Sequence, residues 1–193
     1  MSSVSELQTG DALLIIDVQV DFLPGGSLAV PKGDAVIAPL NEWIARFADA
    51  ALPIWATFDW HPVDHCSFRH EGGPWPVHCV KDSPGARLAA SLALPPGVKR
   101  VAKATSRDKD AYSGFSGTDL DAQLRNMGVS RIFAGGLATD YCVLQTVLDA
   151  LRLGYRVVLL RDAIRAVDVH PGDGGRAVAQ MVAAGAAVAG SQP

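Results

Sequence analysis

Short unbroken runs of apolar residues alternate along this chain with stretches in which apolar residues recur at helical spacing. Unbroken runs are typical of strands that are buried on both faces of a parallel sheet. They cover residues 12–18, 53–59, 100–104, 130–138 and 155–163. Helical spacing covers residues 36–47, 140–153 and about 174–184. The alternation predicts an α/β fold: a three-layer, Rossmann-like arrangement with a mainly parallel central sheet and right-handed crossovers.

One loop-rich segment, residues 60–96, interrupts this alternation. It contains four of the five histidines, namely His61, His65, His70 and His78. A loop segment of this length in a compact domain is more often functional than decorative. Because no repeat, linker or low-complexity stretch divides the 193 residues, we predict a single domain, 1–193, with residues 60–96 as a loop-rich insert.

Composition excludes several classes of function. The net charge of -3 comes from interspersed acidic and basic residues, which gives no footprint for nucleic acid or for an anionic membrane. The first ten residues lack a secretory pattern, and no apolar run approaches the roughly 20 residues that span a bilayer. Three sparse cysteines argue against a disulfide framework. We therefore expect a cytoplasmic protein that acts on a small molecule, and a homo-oligomer is compatible with the sequence.

Residues with ionisable or nucleophilic side chains lie at the ends of the predicted strands. Asp17, Asp59, Lys103 and the turn "GLATDYC" each stand where a predicted strand ends. Ligands of open α/β sheets bind at the carboxyl ends of the strands. We therefore expect these residues to meet at one edge of the sheet.

Three of these residues are candidates for nucleophilic catalysis. Cys142 lies near the first turn of a predicted helix, where the helix dipole can lower the pKa of a thiol from about 8.5 into the range of about 3.5 to 7.5. Asp17 could serve as its general base, and Lys103 could stabilise developing negative charge. The alternatives are a small buried thiol, a carboxylate that caps a turn and a solvated strand-end lysine.

The histidine-rich segment has the residue types of a metal site. Asp59 and His61 are two residues apart, so an extended backbone points both side chains to the same side. His78 would complete a carboxylate and two-histidine set that suits one divalent transition metal: Zn, Fe or Mn. Glu71 and His65 are further candidates, although a solvated loop position is the ordinary alternative for each.

The chain resembles the nicotinamidases, also called pyrazinamidases, of the isochorismatase-like cysteine hydrolase superfamily. The resemblance rests on "LLIIDVQVDFLPGGSLAV", "TFDWHPVDHCSF", "GPWPVHC", "KATSRDKDAYSGF", "GLATDYCVLQT" and "LLRDAIRAV". It implies a catalytic triad of Asp17, Lys103 and Cys142, and metal ligands Asp59, His61 and His78. Residues 60–96 would then be a metal-binding insert. For a fourth metal contact, it favours Glu71 slightly over His65.

The resemblance also implies a substrate pocket. It places the oxyanion hole at the backbone amides of Ala138 and Cys142, with a cis peptide bond between Leu137 and Ala138. The side chains it implies around the pyridine ring are Phe22, Trp75, Tyr112, Leu137 and Tyr141.

The activity implied by the resemblance is hydrolysis of nicotinamide to nicotinate and ammonia through a thioester, in NAD salvage, with pyrazinamide as a second substrate. The metal would take the pyridine nitrogen. Two enzyme alternatives are an amidohydrolase for another carboxamide or N-carbamoyl compound, and an ether hydrolase that needs no thiol. A third alternative, from a different class, is a non-catalytic metal-binding module.

Overall fold

The structure is a computed structural model that describes residue 4 and residues 6–190. Within this part of the chain, one sheet has the strands β1 (Asp11–Ile16), β2 (Ile54–Asp59), β3 (Lys99–Lys103), β4 (Arg131–Leu137), β5 (Arg156–Arg165) and β6 (Ala187–Ala189). The α-helices are α1 (Ile37–Asp49), α2 (Leu120–Asn126), α3 (Leu144–Arg152) and α4 (Asp173–Ala183). None of the helices described is long and apolar enough to cross a membrane.

The strand order explains where a ligand can bind. The order is β3-β2-β1-β4-β5-β6, and every neighbouring pair is parallel. The chain moves outward in one direction from β1 to β3 and in the other direction from β4 to β6. The crevice between β1 and β4 is therefore a topological switch point, where open α/β sheets bind their ligands. The predicted α/β fold with a mainly parallel sheet is confirmed.

Helices cover both faces of the sheet. Alternate residues of each strand point to opposite faces, so a strand that is apolar at consecutive positions makes both faces apolar. Leu13 and Ile15 of β1 belong to one core cluster, which includes the α1 side chains Trp43 and Phe47. The other cluster contains Leu14 and Ile16 together with apolar residues of α2, α3 and α4. Every residue of β1 is buried. This packing accounts for the unbroken apolar run in the sequence.

The hydrophobic pattern of the sequence did not predict two short elements. Helix α2 has only seven residues, of which Leu120 and Leu124 are buried, so it offers too little periodicity to be recognised. Strand β6 has three residues, and only Ala189 is buried. A third difference concerns the predicted helix 140–153, which begins as a π-helical turn, Thr139–Val143, before α3 follows.

The backbone changes direction sharply where the strands end. Asp17, directly after β1, has φ 50°, and Ala104, directly after β3, has φ 51°. Left-handed backbone is uncommon for residues other than glycine, and such positions cluster at functional sites. In β4, Gly136 has φ 134°, and a Cβ there would collide with the carbonyl oxygen of Ile16. Only glycine allows β1 and β4 to approach this closely beside the crevice.

The segment 60–96 crosses this edge of the sheet as loops. Its regular structure is limited to a 3-10 turn, Arg69–Glu71, and isolated bridges such as His61 with Val80 and Phe68 with Trp75. Phe68 is fully buried and its ring lies between 5.5 and 5.8 Å from those of His61, His65, His70 and His78. This aromatic centre holds the histidines close together.

Candidate active site

Lys103 stands at the centre of the site, at the end of β3, and is only 1% exposed. Its Nζ lies 3.0 Å from Oδ2 of Asp17, 2.5 Å from Oδ1 of Asp59 and 3.5 Å from Sγ of Cys142. It also donates a hydrogen bond of 2.9 Å to the carbonyl oxygen of Ala111. Burial lowers the pKa of Lys103, but Asp17 and Asp59 more than offset this, so the pKa stands well above its ordinary value. The ammonium therefore stays charged.

Asp17 is placed as a base for the thiol. Its Oδ1 accepts a hydrogen bond of 2.7 Å from the hydroxyl of Thr57, and an oxygen of its carboxylate lies within 4.8 Å of Cys142 Sγ. Burial raises the pKa of Asp17, and the opposing effect of Lys103 does not cancel the rise. A buried carboxylate with a raised pKa accepts a proton more readily than a solvated one.

Cys142 lies on the π-helical turn that follows β4, and the peptide bond between Leu137 and Ala138 just before the turn is cis. The expected lowering of the thiol pKa is wrong: burial raises it well above its ordinary value, Lys103 opposes this, and Asp17 and Asp59 add to the rise. Position at a helix start therefore counts for less than burial beside two carboxylates. The thiol keeps its proton at neutral pH and needs a base to remove it.

Asp59, His61 and His78 form a second group, in which one ligand atom of each residue lies within 4.8 Å of the others. Nδ1 of His61 donates to the carbonyl oxygen of Ala104 at 3.1 Å, and Nδ1 of His78 donates to that of Pro76 at 2.8 Å. Each ring therefore keeps Nε2 as an unprotonated ligand atom, and its orientation is fixed in the way usual for metal-binding histidines.

The protonation of these rings suits a metal. Burial lowers the pKa of His61 to about 4 and also lowers that of His78. Neutral imidazoles and an ionised carboxylate are the forms that bind metals. Burial raises the pKa of Asp59, but the adjacent Lys103 ammonium and its hydrogen bond act against this, and the pKa is lowered overall. The three residues thus fit a divalent transition metal by donor type, by charge and by orientation.

Neither of the two residues considered as a fourth ligand lies in this group. Glu71 makes ion pairs with His70 at 3.7 Å and with Arg107 at 3.4 Å, and it does not line the cavity that Asp59, His61 and His78 line. His65 stacks on His61 with the ring centroids 4.2 Å apart. Its Nδ1 is 2.8 Å from the hydroxyl of Ser67 and its Nε2 donates to the carbonyl oxygen of Lys109 at 3.1 Å, so neither nitrogen is free.

The metal-ligand group and the thiol of Cys142 line one and the same cavity. The sequence-predicted aromatic residues Phe22, Trp75, Tyr112 and Tyr141 form its walls. Nε1 of Trp75 donates a hydrogen bond of 3.0 Å to the hydroxyl of Tyr112, which fixes both rings. Ala138 also lines the cavity beside Cys142. Leu137 does not: it is fully buried in the core beneath the site.

Several lining residues were not anticipated from the sequence: Leu28, Val30, Ser67, Asp110, Ala111 and Val167. Most of them are in loops that have no hydrophobic periodicity. The signal that could have indicated two of them is local, since Leu28 and Val30 alternate with polar or small residues shortly after Phe22. Such an alternation would indicate an extended segment with one apolar face.

Gln19 is a positioning residue that sequence reasoning missed. Its fully buried amide spans from the end of β1 to the end of β2, where Oε1 accepts from the amide nitrogen of Asp59 at 2.7 Å. Its Nε2 donates to the carbonyl oxygens of Asp59 and Ala86, both at 2.9 Å. The side chain thus holds the backbone of Asp59 by both of its polar groups. This orients a carboxylate that serves Lys103 and the metal-ligand group at once.

Replacing Gln19 with glutamate should weaken metal binding about 10- to 100-fold, as is usual when a partner that orients a metal ligand is lost. A carboxylate cannot donate to the two carbonyl oxygens and would repel them. The measurement is metal affinity by competition with a chromogenic chelator.

Asn41→Asp is the matched control. Asn41 holds a distant loop in the same manner, through Ser91 O at 2.9 Å and Ala93 N at 2.8 Å. We expect it to leave metal affinity unchanged. Equal affinity in Gln19→Glu and the wild type would show that Gln19 does not position Asp59.

A family model and a curated relative both match this chain over most of its length. The family model described as "Isochorismatase domain" matches residues 11–193. A nicotinamidase of Escherichia coli is 38% identical over 196 residues, which covers 91% of this chain and 92% of the relative.

Two solved structures are similar over nearly their whole length. A pyrazinamidase of Pyrococcus horikoshii in complex with zinc has a TM-score of 0.90 and 47% identity, and the match covers 94% of this chain and 99% of that one. PnC1 from L. infantum in complex with nicotinate has a TM-score of 0.84 and 38% identity, with 94% and 92% covered.

Proposed function

The chain belongs to the isochorismatase family, and on that premise we propose that it is a nicotinamidase, a metal-dependent cysteine hydrolase that converts nicotinamide to nicotinate and ammonia. One observation carries this proposal: the metal-ligand group and the buried thiol line the same aromatic-walled cavity. A flat ring that carries both a nitrogen and a carboxamide could present the nitrogen to the metal-ligand group and the carboxamide to the thiol.

The cavity explains why a pyridine carboxamide is favoured over other amides. A divalent metal held by Asp59, His61 and His78 would supply an electron-pair acceptor for the ring nitrogen of the substrate. Aromatic walls, with Trp75 and Tyr141 in edge contact at 5.1 Å, suit a planar ring. Pyrazinamide also has a planar ring with a ring nitrogen and a carboxamide, and we propose it as a second substrate.

The first half of the reaction forms a thioester. Asp17 takes the proton of Cys142, and the thiolate attacks the carboxamide carbon. The backbone amides of Ala138 and Cys142 hold the oxyanion, and the loss of one such donor typically costs about 100- to 1000-fold in rate. Asp17 then gives the proton to the departing ammonia. Lys103 remains charged throughout and balances the negative charge on Asp17 and the sulfur.

The second half releases nicotinate. A water molecule enters in place of ammonia, Asp17 removes its proton, and the hydroxide attacks the thioester carbon at the same oxyanion site. Collapse of the tetrahedral intermediate breaks the carbon–sulfur bond, and Asp17 returns its proton to the thiolate. The carboxylic acid formed loses its own proton to solvent and leaves as nicotinate. Because the pKa of the thiol is high in this site, the sulfur is reprotonated at the end of each cycle.

The metal is proposed to be zinc. The donor set alone suits Zn, Fe and Mn. The similar pyrazinamidase of Pyrococcus horikoshii was solved with zinc, which supports zinc here.

The test of this function is ammonia release from nicotinamide by purified protein that has been stripped with a chelator and reloaded with Zn, Fe or Mn. We expect release to fall at least about tenfold on stripping, since loss of a single supporting contact to a metal ligand already has an effect of that size. Reloading should restore it, and pyrazinamide should also be hydrolysed.

Benzamide is the matched control substrate, because it keeps the carboxamide and the ring but lacks the ring nitrogen. It should be hydrolysed much more slowly than nicotinamide by the metal-loaded protein. Equal rates for the two amides would contradict a metal-anchored pyridine. Absence of ammonia from nicotinamide in every metal-loaded preparation would contradict the function.

A further inference from the structure

A second set of metal-ligand atoms lies beside the first. Oxygens of Asp17 and Asp59 and the sulfur of Cys142 are all within 4.8 Å of one another, and all three residues are buried. Two carboxylates and a thiolate are a chemically competent set for zinc and its soft analogue cadmium. By donor type alone, the catalytic centre is therefore as good a metal site as the group that contains His61 and His78.

The two ligand sets are joined through one residue. Oδ1 of Asp59 faces the catalytic centre, and its Oδ2 is 3.8 Å from Nε2 of His61 in the other group. A carboxylate placed in this way could bridge two metal ions, as carboxylates do in two-metal sites. A metal delivered to the histidine-containing group would thus arrive next to a second set of ligands.

The ammonium of Lys103 occupies the space that a metal ion would take among the second set of ligand atoms. Nζ is in contact with a ligand atom of each member: Asp17 at 3.0 Å, Asp59 at 2.5 Å and Cys142 at 3.5 Å. It is fixed there by its hydrogen bond to Ala111 O at 2.9 Å and by nearly complete burial of the side chain. A metal ion could enter only by displacing a buried positive charge from the carboxylates that neutralise it.

We propose that Lys103 excludes divalent metal ions from the catalytic thiol and so confines the metal to Asp59, His61 and His78. The ammonium takes both the space and the negative charge that a second metal would need. If a metal bound there, the thiol proton would leave to solvent and the sulfur lone pair would form the metal bond. The nucleophile would then be blocked. Exclusion matters in this protein because its own metal site adjoins the thiol.

The experiment uses cadmium, whose bond to a thiolate has an ultraviolet charge-transfer absorption. Wild type, Lys103→Met and the control Lys109→Met, which removes an exposed lysine, are titrated with Cd²⁺, and bound metal per chain is counted after dialysis. We expect wild type and Lys109→Met to show no absorption that depends on Cys142. Lys103→Met should bind one further equivalent and gain the absorption, which Lys103→Met/Cys142→Ser should lose.

Two results would overturn the proposal. The first is Cys142-dependent cadmium absorption in the wild type, found by comparison with Cys142→Ser alone; this arm does not depend on any lysine variant folding. The second is a folded Lys103→Met or Lys103→Gln protein, as judged by circular dichroism, that gains neither metal nor absorption. Because the readout is metal content and absorbance, it is independent of whether nicotinamide is hydrolysed, so it can fail while the proposed function holds.

Discussion

Replacement of Cys142 by alanine is expected to lower the rate of ammonia release from nicotinamide by about 10,000-fold or more, the size of effect seen when a catalytic nucleophile is removed. The sulfur is the group that forms the covalent bond, and no other thiol lines the cavity within the part of the chain that the structure describes. The measurement is the steady-state rate of ammonia release with metal content determined in parallel.

Cys79→Ala is the matched control. Cys79 is a free and fully buried thiol, but it belongs to the core cluster and not to the cavity lining. Its loss should leave kcat nearly unchanged, while Cys142→Ala should keep its metal and still bind nicotinamide in a calorimetric titration. Residual activity of a tenth or more in Cys142→Ala would place the nucleophile elsewhere.

The substitution Asp17→Asn should be nearly as severe, with a fall in kcat of about 1000-fold or more. The amide has almost the shape of the carboxylate but cannot take the thiol proton, and the raised pKa of Cys142 makes that transfer necessary. Because the two residues act as one unit, the double variant Asp17→Asn/Cys142→Ala should be no slower than Cys142→Ala alone. An additive loss would separate their roles.

Asp11→Asn offers a control at the opposite end of the same strand. Asp11 is fully buried and paired with Arg131 at 2.6 Å, so its replacement also removes a buried carboxylate from an ion pair. It should reduce the free energy of unfolding without changing kcat. If Asp17→Asn only raised KM and left kcat as in Asp11→Asn, the general-base role would be wrong.

Much of the fold could be predicted because burial on both faces leaves a simple record in the sequence. A strand of a covered parallel sheet is apolar along most of its length, as β1 is from Ala12 to Ile16, and a covering helix is apolar on one side, as α1 is. Elements with few buried residues leave no such record, and this is why α2 and β6 were missed. The junction of β4 with α3 was also beyond prediction, since nothing local distinguishes a π-helical turn from the first turn of an α-helix.

The meeting of Asp17, Asp59 and Lys103 was also predictable. Each follows an apolar run, and parallel strands bring their carboxyl ends to one edge of the sheet whatever the sequence of the loops. The chemistry of the site could be anticipated from residue types for the same reason. Asp59, His61 and His78 have the donors of a metal site, and the structure brings these three together.

Residue types and strand ends were therefore determined by the sequence itself, because apolar periodicity and donor chemistry are local properties. Only the tertiary structure decided the charge state and the partners of each group. It buried Cys142 between carboxylates and so raised the pKa that its helix position was expected to lower. It turned Glu71 toward Arg107, occupied both nitrogens of His65 and placed Gln19 behind Asp59. Desolvation and contact between distant segments depend on three-dimensional proximity, which local sequence does not encode.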